Sequence, residues 1–368
     1  MKKILLLGAL ILLSAPSFAK IIPCDDENVY FAPYAWKPTK TYGTPTREAT
    51  FPGAYVKTVV KNTSEVGLII DGTTQKDMVD IGRPRIEYSV DGLAFKEFIL
   101  TTEGNVYTLP LAENLDRSKP HTVLVYFRSA HLGCNRWAGH ESHLFIKGFE
   151  VDARGVAEKP EIKPGLAMGF GDSITEGVGV DELFTTWDDL KPNNARVTWF
   201  AMLCEMIGCE YGQFGSGGQG MINEHMAVPP LPLTWDKYDA ETSRLVDGKL
   251  VPQPDYIMCA MGTNDDRIEK EAEAYIGWIK AVRKAAPKSY IVIVVPPSGV
   301  QRDNLQKTAA AFKKDKKVLY IDTVNLNEMI TVRPPEPTGM AYDAVHPTEY
   351  GQGMFAGCVA VQLLKLIK

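Results

Sequence analysis

Histidine and cysteine are scarce in this chain, six of each in 368 residues. Neither C-x-x-C nor H-E-x-x-H occurs, so no structural or catalytic zinc is expected, and no other cofactor is called for. The cysteines (Cys24, Cys134, Cys204, Cys209, Cys259 and Cys358) are too few and too scattered for a disulfide scaffold. Two pairings are worth testing, Cys24 with Cys134 and Cys204 with Cys209, whereas Cys259 and Cys358 sit in apolar segments and read as buried thiols. There is no basic tract and the formal net charge is −5, which leaves no electrostatic footprint for nucleic acid or anionic lipid. After Leu13 no apolar run approaches the ~20 residues that span a bilayer, so no membrane insertion is expected.

What the N-terminus does have is Lys2 and Lys3, the apolar run Ile4 to Leu13, and Ser17-Phe18-Ala19. A charged segment, a short hydrophobic segment and small residues at −3 and −1 read as a secretory signal over residues 1–19, cleaved before Lys20. The expected location is therefore the periplasm or the exterior. Cys24 comes too late after the cleavage point to favour a lipid anchor.

Domains of about 100 to 200 residues are usual, so two are expected in the remainder. From Val29 to about Arg154 short β-rich runs recur, at Ala54–Val60, Val66–Ile70, Ile86–Val90, Phe95–Leu100, Val106–Leu111, Thr122–Phe127 and Leu144–Val151. Turn signals such as Asp71-Gly72 separate them, and Asp91-Gly92 marks the clearest hairpin. This predicts an antiparallel sandwich of jelly-roll type over residues 20–154. Charge, Gly and Pro from Ala153 to Pro164 read as a linker, placed at 155–165.

After Gly165 the pattern becomes strand and helix in alternation. Strands are predicted at Leu166–Phe170, Tyr256–Met261, Tyr290–Val295 and Val318–Ile321, with helices at Trp199–Ile207, Glu269–Ala286, Asp303–Asp315 and Glu349–Ile367. Such alternation predicts a three-layer α/β/α domain with a parallel, flavodoxin-like sheet over 166–368. A run rich in Pro, Trp and Tyr, Val228–Pro254, interrupts it and is long enough to wall a substrate cleft.

Four stretches of this domain carry chemistry. In Ala167-Met168-Gly169-Phe170-Gly171-Asp172-Ser173, a buried strand runs into a tight turn and a helix start, the place where a serine nucleophile sits. Alone, it is equally an ordinary serine N-cap. Gly215-Ser216-Gly217-Gly218-Gln219-Gly220 is a turn in which glycine lets a backbone N–H approach a reacting group. Phosphate cradling is its rival reading, but no P-loop spacing with a Lys is present. Met261-Gly262-Thr263-Asn264-Asp265 follows a buried strand and brings the Asn264 amide to the same sheet edge, although an Asx turn would look alike. In Asp343-Ala344-Val345-His346-Pro347 the spacing lets Asp343 receive the His346 Nδ1 proton while Nε2 faces outward, as a base is oriented in a serine hydrolase.

The order of these blocks, G-D-S, a glycine turn, G-x-N-D and D-x-x-H, resembles the SGNH or GDSL hydrolase superfamily over about Leu166–Lys368. The resemblance implies Ser173 as nucleophile, His346 as general base and Asp343 as its orienting acid. It implies an oxyanion hole from the N–H of Ser173, the N–H of Gly218 (Gly217 being next in line) and the side chain of Asn264. Gln213 stands where the family usually has Asn upstream of that glycine. A β-sandwich ahead of such a domain is similar to carbohydrate esterase family 2, which implies removal of acetyl groups from plant polysaccharides such as xylan. An acetylated polysaccharide or oligosaccharide is then the expected partner, with Trp137, Trp187 and Trp235 as sugar-stacking surfaces. Two alternatives stay open at this point: an esterase for lipid, aryl or thioester substrates, and a carbohydrate-binding protein with an inactive hydrolase domain.

Overall fold

A computed structural model of the chain describes residues 19–75, 78, 82–101, 106–183, 186, 188–224, 228–265, 268–323, 341, 343 and 345–367. The signal segment, apart from Ala19, lies outside the described residues, as does Trp187.

Two antiparallel sheets form the N-terminal half. One has the strand order Lys37–Thr41, Thr44–Ala49, Leu144–Val151, Val66–Asp71, Val106–Ala112, with Lys20–Pro23 also on Leu144–Val151. The other runs Val156–Glu158, Tyr55–Lys61, His121–Ser129, Arg85–Val90, Lys96–Ile99, with Tyr30–Phe31 also on Tyr55–Lys61. Leu68, Ile70 and Phe149 from the first sheet and Val56, Ile86 and Phe127 from the second are buried between them. The Asp91-Gly92 hairpin forms as its sequence demands. Both residues take positive φ, 56° and 70°, and Arg85–Val90 pairs antiparallel with Lys96–Ile99.

Part of the stretch read as linker is not linker. Val156–Glu158 adds to the edge of the second sheet through Val60 and Lys61, so the sandwich ends later than Arg154. Three residues between Gly155 and Lys159-Pro160 carry too little periodicity to be read as a strand.

The C-terminal half is a five-stranded parallel sheet in the order Cys209–Gly215, Gly165–Gly171, Tyr256–Ala260, Tyr290–Val294, Val318–Ile321. Side chains alternate across Gly165–Gly171. Phe170 faces the Trp278 ring of helix Ile268–Ala285 at 6.0 Å. On the opposite face Gly169 is small because the Phe200 ring lies on it; a Cβ there would meet the ring at 2.5 Å. Helices Trp199–Ile207 and Glu349–Leu366 cover that second face, with Trp199 and Phe355 rings 4.8 Å apart.

Strand Cys209–Gly215 was not foreseen, because C-E-Y-G-Q-F-G lacks an apolar run. It is buried throughout, and Glu210 and Tyr211 face the sandwich. Glu210 accepts from the Tyr55 hydroxyl, from Lys57 Nζ at 2.6 Å and from the Lys163 N–H at 2.8 Å. The Tyr211 N–H donates to the Tyr55 hydroxyl at 3.1 Å. Further ties cross the same interface: Arg128 reaches Asp181 at 2.6 Å, and the Tyr34 hydroxyl donates to the Pro252 carbonyl at 2.6 Å. The two halves therefore share one continuous interior.

Removing the cation leaves the buried Glu210 charge with only the neutral Tyr55 hydroxyl and Lys163 N–H. Lys57→Met is expected to lower unfolding free energy by about 3 kcal/mol, read as a lower urea midpoint at unchanged slope.

Candidate active site

Strands Gly165–Gly171, Cys209–Gly215 and Tyr256–Ala260 are parallel neighbours, so the loops leaving their carboxyl ends meet at one edge. The first loop is almost nothing. Asp172 caps a single helical turn, Ser173–Glu176, its Oδ1 accepting from the Ile174 N–H at 3.0 Å. Ser173 is the first residue of that turn, where a backbone N–H has no intrahelical acceptor.

The histidine arrives from the other end of the chain. Asp343 Oδ1 accepts from the N–H groups of Val345 (2.7 Å) and His346 (2.6 Å), folding the loop so that Asp343 Oδ2 meets His346 Nδ1 at 2.8 Å. His346 Nε2 then lies 2.9 Å from Ser173 Oγ. Thr348 caps the helix that follows through the Gly351 N–H, 3.2 Å, and Gln352 joins that helix to the serine turn through the Ile174 carbonyl at 3.0 Å. Burial works against the Asp343 carboxylate, but the His346 ring and the two N–H groups prevail and hold its pKa below the ordinary range.

The glycine turn selects one of its own N–H groups. Ser216 N–H is taken by the Gly171 carbonyl (3.2 Å), Gly217 N–H by Glu176 Oε2 (2.5 Å) and Gln219 N–H by the Ser216 carbonyl (3.1 Å). Gly218, at φ 73°, keeps its N–H without a partner among the described residues and lines the cleft. Between Gly217 and Gly218, the geometry favours Gly218 as the free donor. Gly215, Gly217 and Gly220 have the spacing of a dinucleotide fingerprint, yet the turn is packed solid. A Cβ on Gly215 would overlap the Glu176 backbone, one on Gly217 would stand 3.0 Å from Leu132 Cδ2, and one on Gly220 would overlap the Asp265 carboxylate.

Asn264 directs one amide hydrogen to the Gln219 carbonyl at 3.1 Å and lines the same cleft. Its neighbour Asp265 gathers the N–H groups of Met221, Ile222 and Asn223 at 2.7, 3.0 and 3.2 Å, which makes it the organiser of the loop. Gln213 is fully buried and supports the serine turn rather than the glycine turn: its Nε2 donates to the carbonyls of Thr175 (2.8 Å) and Ala195 (3.1 Å).

The structure thus brings Ser173, Asp343, His346, Gly218 and Asn264 to one cleft of about 900 Å³. Its walls include Leu132 and Gly133 of the sandwich, Ile222, Asn223 and Glu224, and Asp188. Trp137 and Trp235 do not belong to it. Each is 5% exposed and packs in the interior, Trp137 against Phe51 at 6.5 Å between ring centroids. The Val228–Pro254 run, expected to wall the cleft, instead packs on the glycine turn and the sandwich: Gln219 Nε2 donates to the Pro229 carbonyl at 2.6 Å, and Arg244 stacks on Phe214 at 3.8 Å. Trp235 is buried in that packing. All six cysteines are free thiols, so neither Cys24 with Cys134 nor Cys204 with Cys209 is paired.

Three buried residues of the site escaped the sequence reading. Glu176 stands at S-x-x-E spacing from Ser173, a visible signal, whereas Arg136 and Gln352 have none and are found only by their contacts. One cluster away from the cleft has metal-ligand chemistry, Glu48 with His140 and His143. Glu48 Oε1 is 2.6 and 2.8 Å from the two Nδ1 atoms, and Lys37 Nζ is 2.6 Å from Oε2. Two ligands sharing a zinc ion stand about 3.3 Å apart, given bonds near 2.0–2.1 Å. The shorter spacings, with an ammonium already on the carboxylate, describe a hydrogen-bonded cluster.

A serine, histidine and aspartate in one hydrogen-bonded row at the carboxyl edge of a parallel sheet define a serine-hydrolase type of α/β domain. The profile of the GDSL-like Lipase/Acylhydrolase family matches residues 170–354, half of the chain and all the blocks around the cleft, and the chain belongs to that family. No curated protein sequence matches the chain. Among solved structures, a family two carbohydrate esterase from Cellvibrio japonicus superposes at TM-score 0.76 with 17% identity, covering 95% of this chain and 98% of the other. An acetyl xylan esterase, Est2A, from Butyrivibrio proteoclasticus gives 0.69 and 16%, over 96% and 100%. A family two carbohydrate esterase from Clostridium thermocellum in complex with cellohexaose gives 0.70 and 17%, over 92% and 99%. These likenesses extend over both halves and establish the two-domain fold.

Asp172 carries a pH signature. Burial pushes its pKa up to about 6 against the pull of the Ile174 N–H, the Thr263 hydroxyl and His346. The folded state holds that proton more tightly than the unfolded chain, so stability is greatest below the ordinary aspartate pKa near 4 and is lost as pH rises to about 6. Asp172→Asn keeps the cap and removes the charge. It is expected to match the parent at pH 4 and exceed it by roughly 2–3 kcal/mol at pH 7.5 in urea unfolding.

Proposed function

We propose that the chain is an exported serine esterase that removes O-acetyl groups from plant-type polysaccharides or oligosaccharides through an acyl-enzyme intermediate. The observation that carries the chemistry is the Ser173–His346–Asp343 row opening on the cleft that Gly218 and Asn264 line. Family membership supports ester hydrolysis, and the neighbours named as carbohydrate esterases support a sugar as the alcohol. Asp188, Asn223, Glu224 and Thr263 in the cleft suit a hydroxylated alcohol.

In this reading His346 Nε2 takes the Ser173 proton as Oγ adds to the ester carbonyl carbon. The N–H groups of Ser173 and Gly218 and the Asn264 amide hold the tetrahedral oxyanion. The C–O bond to the sugar breaks, and the imidazolium returns its proton to the departing hydroxyl. Water, deprotonated by His346, then releases acetate and restores Ser173. Asp343 holds the ring in one tautomer and stabilises the imidazolium through both steps.

Acetate release by the purified chain from Lys20 to Lys368 tests the reading, with acetylated xylan and 4-nitrophenyl acetate as substrates. Release from both, abolished in Ser173→Ala, is the expected result. Hydrolysis of the aryl ester alone would leave the triad standing and discard the polysaccharide assignment. Asn264→Ala is expected to fold and to lose about 10²–10³ in kcat, the usual cost of one oxyanion donor.

A further inference from the structure

Behind the glycine turn lies a buried ion pair that joins the two halves of the molecule. Arg136, in the short helix Arg136–Gly139 of the sandwich, donates from Nη1 to Glu176 Oε1 at 2.6 Å. The two side chains are 3% and 2% exposed. The other carboxylate oxygen, Glu176 Oε2, accepts the Gly217 N–H at 2.5 Å. Glu176 is one helical turn from Ser173, and Gly217 is the residue before the free donor Gly218.

We propose that Arg136 is a positioning residue for the reaction: through Glu176 it fixes the peptide that precedes Gly218, so that the sandwich holds one side of the oxyanion hole. The inference rests on the esterase reading above.

Three observations support it. First, the arginine is itself held from the sandwich side. Its N–H is on the Cys134 carbonyl at 2.9 Å, and its carbonyl accepts from His143 Nε2 at 2.6 Å. His143 in turn leans on Glu48 of strand Thr44–Ala49 at 2.8 Å. Second, each oxygen of Glu176 has a single named partner, one from each half of the molecule, so a shift of the guanidinium moves the carboxylate and the Gly217 N–H with it. Third, the pair is needed for charge. A buried carboxylate one turn from the nucleophile would oppose the growth of negative charge on the substrate oxygen, and the guanidinium cancels it. Leu132 of the same sandwich loop closes the remaining space beside Gly217.

The test uses the full mature chain with Arg136→Met and Arg136→Lys, and four readouts. These are kcat and KM on 4-nitrophenyl acetate per site titrated with a fluorophosphonate, inhibition by phenylboronic acid, the pH profile of kcat/KM, and melting temperature. Arg136→Met is expected to lower kcat by about 10- to 100-fold with KM within about 3-fold, the pattern of an interaction made in the transition state. Phenylboronate, whose tetrahedral adduct with Ser173 would use the same hole, should weaken in proportion. The midpoint of the pH profile should rise in Arg136→Met, because the uncompensated Glu176 carboxylate favours the His346 imidazolium, and should return toward the parent's in Arg136→Lys, which keeps the charge. Arg136→Lys keeps the charge without the fork and should recover part of the loss; if the Met variant fails to fold, the Lys variant carries the test against the parent. A lower melting temperature with kcat per site and boronate affinity unchanged would overturn the proposal and leave Arg136 as scaffold. Absence of serine-dependent hydrolysis in the parent would overturn the esterase reading and the inference together.

Discussion

Everything at the cleft depends on the register of three parallel strands. Gly171 pairs with Gly215 on one side and Ala260 on the other, so the serine turn, the glycine turn and the asparagine loop leave the sheet at the same level. The proposed oxyanion hole needs donors that converge on one oxygen, and flexible loops alone could not set them, because each would have to be ordered at the moment of reaction. Here the ordering is done by the folded state. Asp265 gathers three N–H groups, Asp343 two, and the glycine turn exchanges all but one of its own.

The sandwich is part of that ordering. Aromatic contacts such as Phe51 with Phe214 and Tyr55 with Tyr211 join it to the other half, beside the ion pairs Lys57 with Glu210, Arg128 with Asp181 and, buried at both ends, Arg136 with Glu176. Buried ion pairs add little net stability over apolar packing, but a mispaired one is costly, so they admit one relative placement of the halves. That selectivity suits an interface whose far side is the cleft of Ser173 and His346. Leu132 and Gly133 reach the cleft from the same loop that carries Arg136.

The sequence made the α/β half legible because its signals are local and repeated. A long amphipathic helix such as Ile268–Ala285 announces its period, an unbroken apolar run such as Tyr290–Val294 announces a buried strand, and the four blocks of site residues each sit just after a strand or just before a helix. What stayed hidden is what tertiary contact decides. Strand Cys209–Gly215 looks polar because it is read against solvent, whereas it lies under Tyr55 and Lys57. Val156–Glu158 is too short to show a period. Trp137 and Trp235 sit in polar stretches, and their burial comes from segments distant in sequence. Arg136 and Glu176 are 40 residues apart and in different halves, so neither could be paired with the other from spacing.

Strand Cys209–Gly215 is also the rim of its sheet, and the sandwich seals that rim: the Tyr211 N–H ends on the Tyr55 hydroxyl, and the Pro33 carbonyl stands so close to Gly212 that a side chain would not fit. A hydrolase half released from its partner would carry an open strand edge flanked by an unpaired carboxylate. Such an edge invites pairing with another copy, so the cost of separating the halves would be read in self-association and loss of solubility rather than in simple unfolding. The sandwich is, in this sense, an intramolecular chaperone that never leaves.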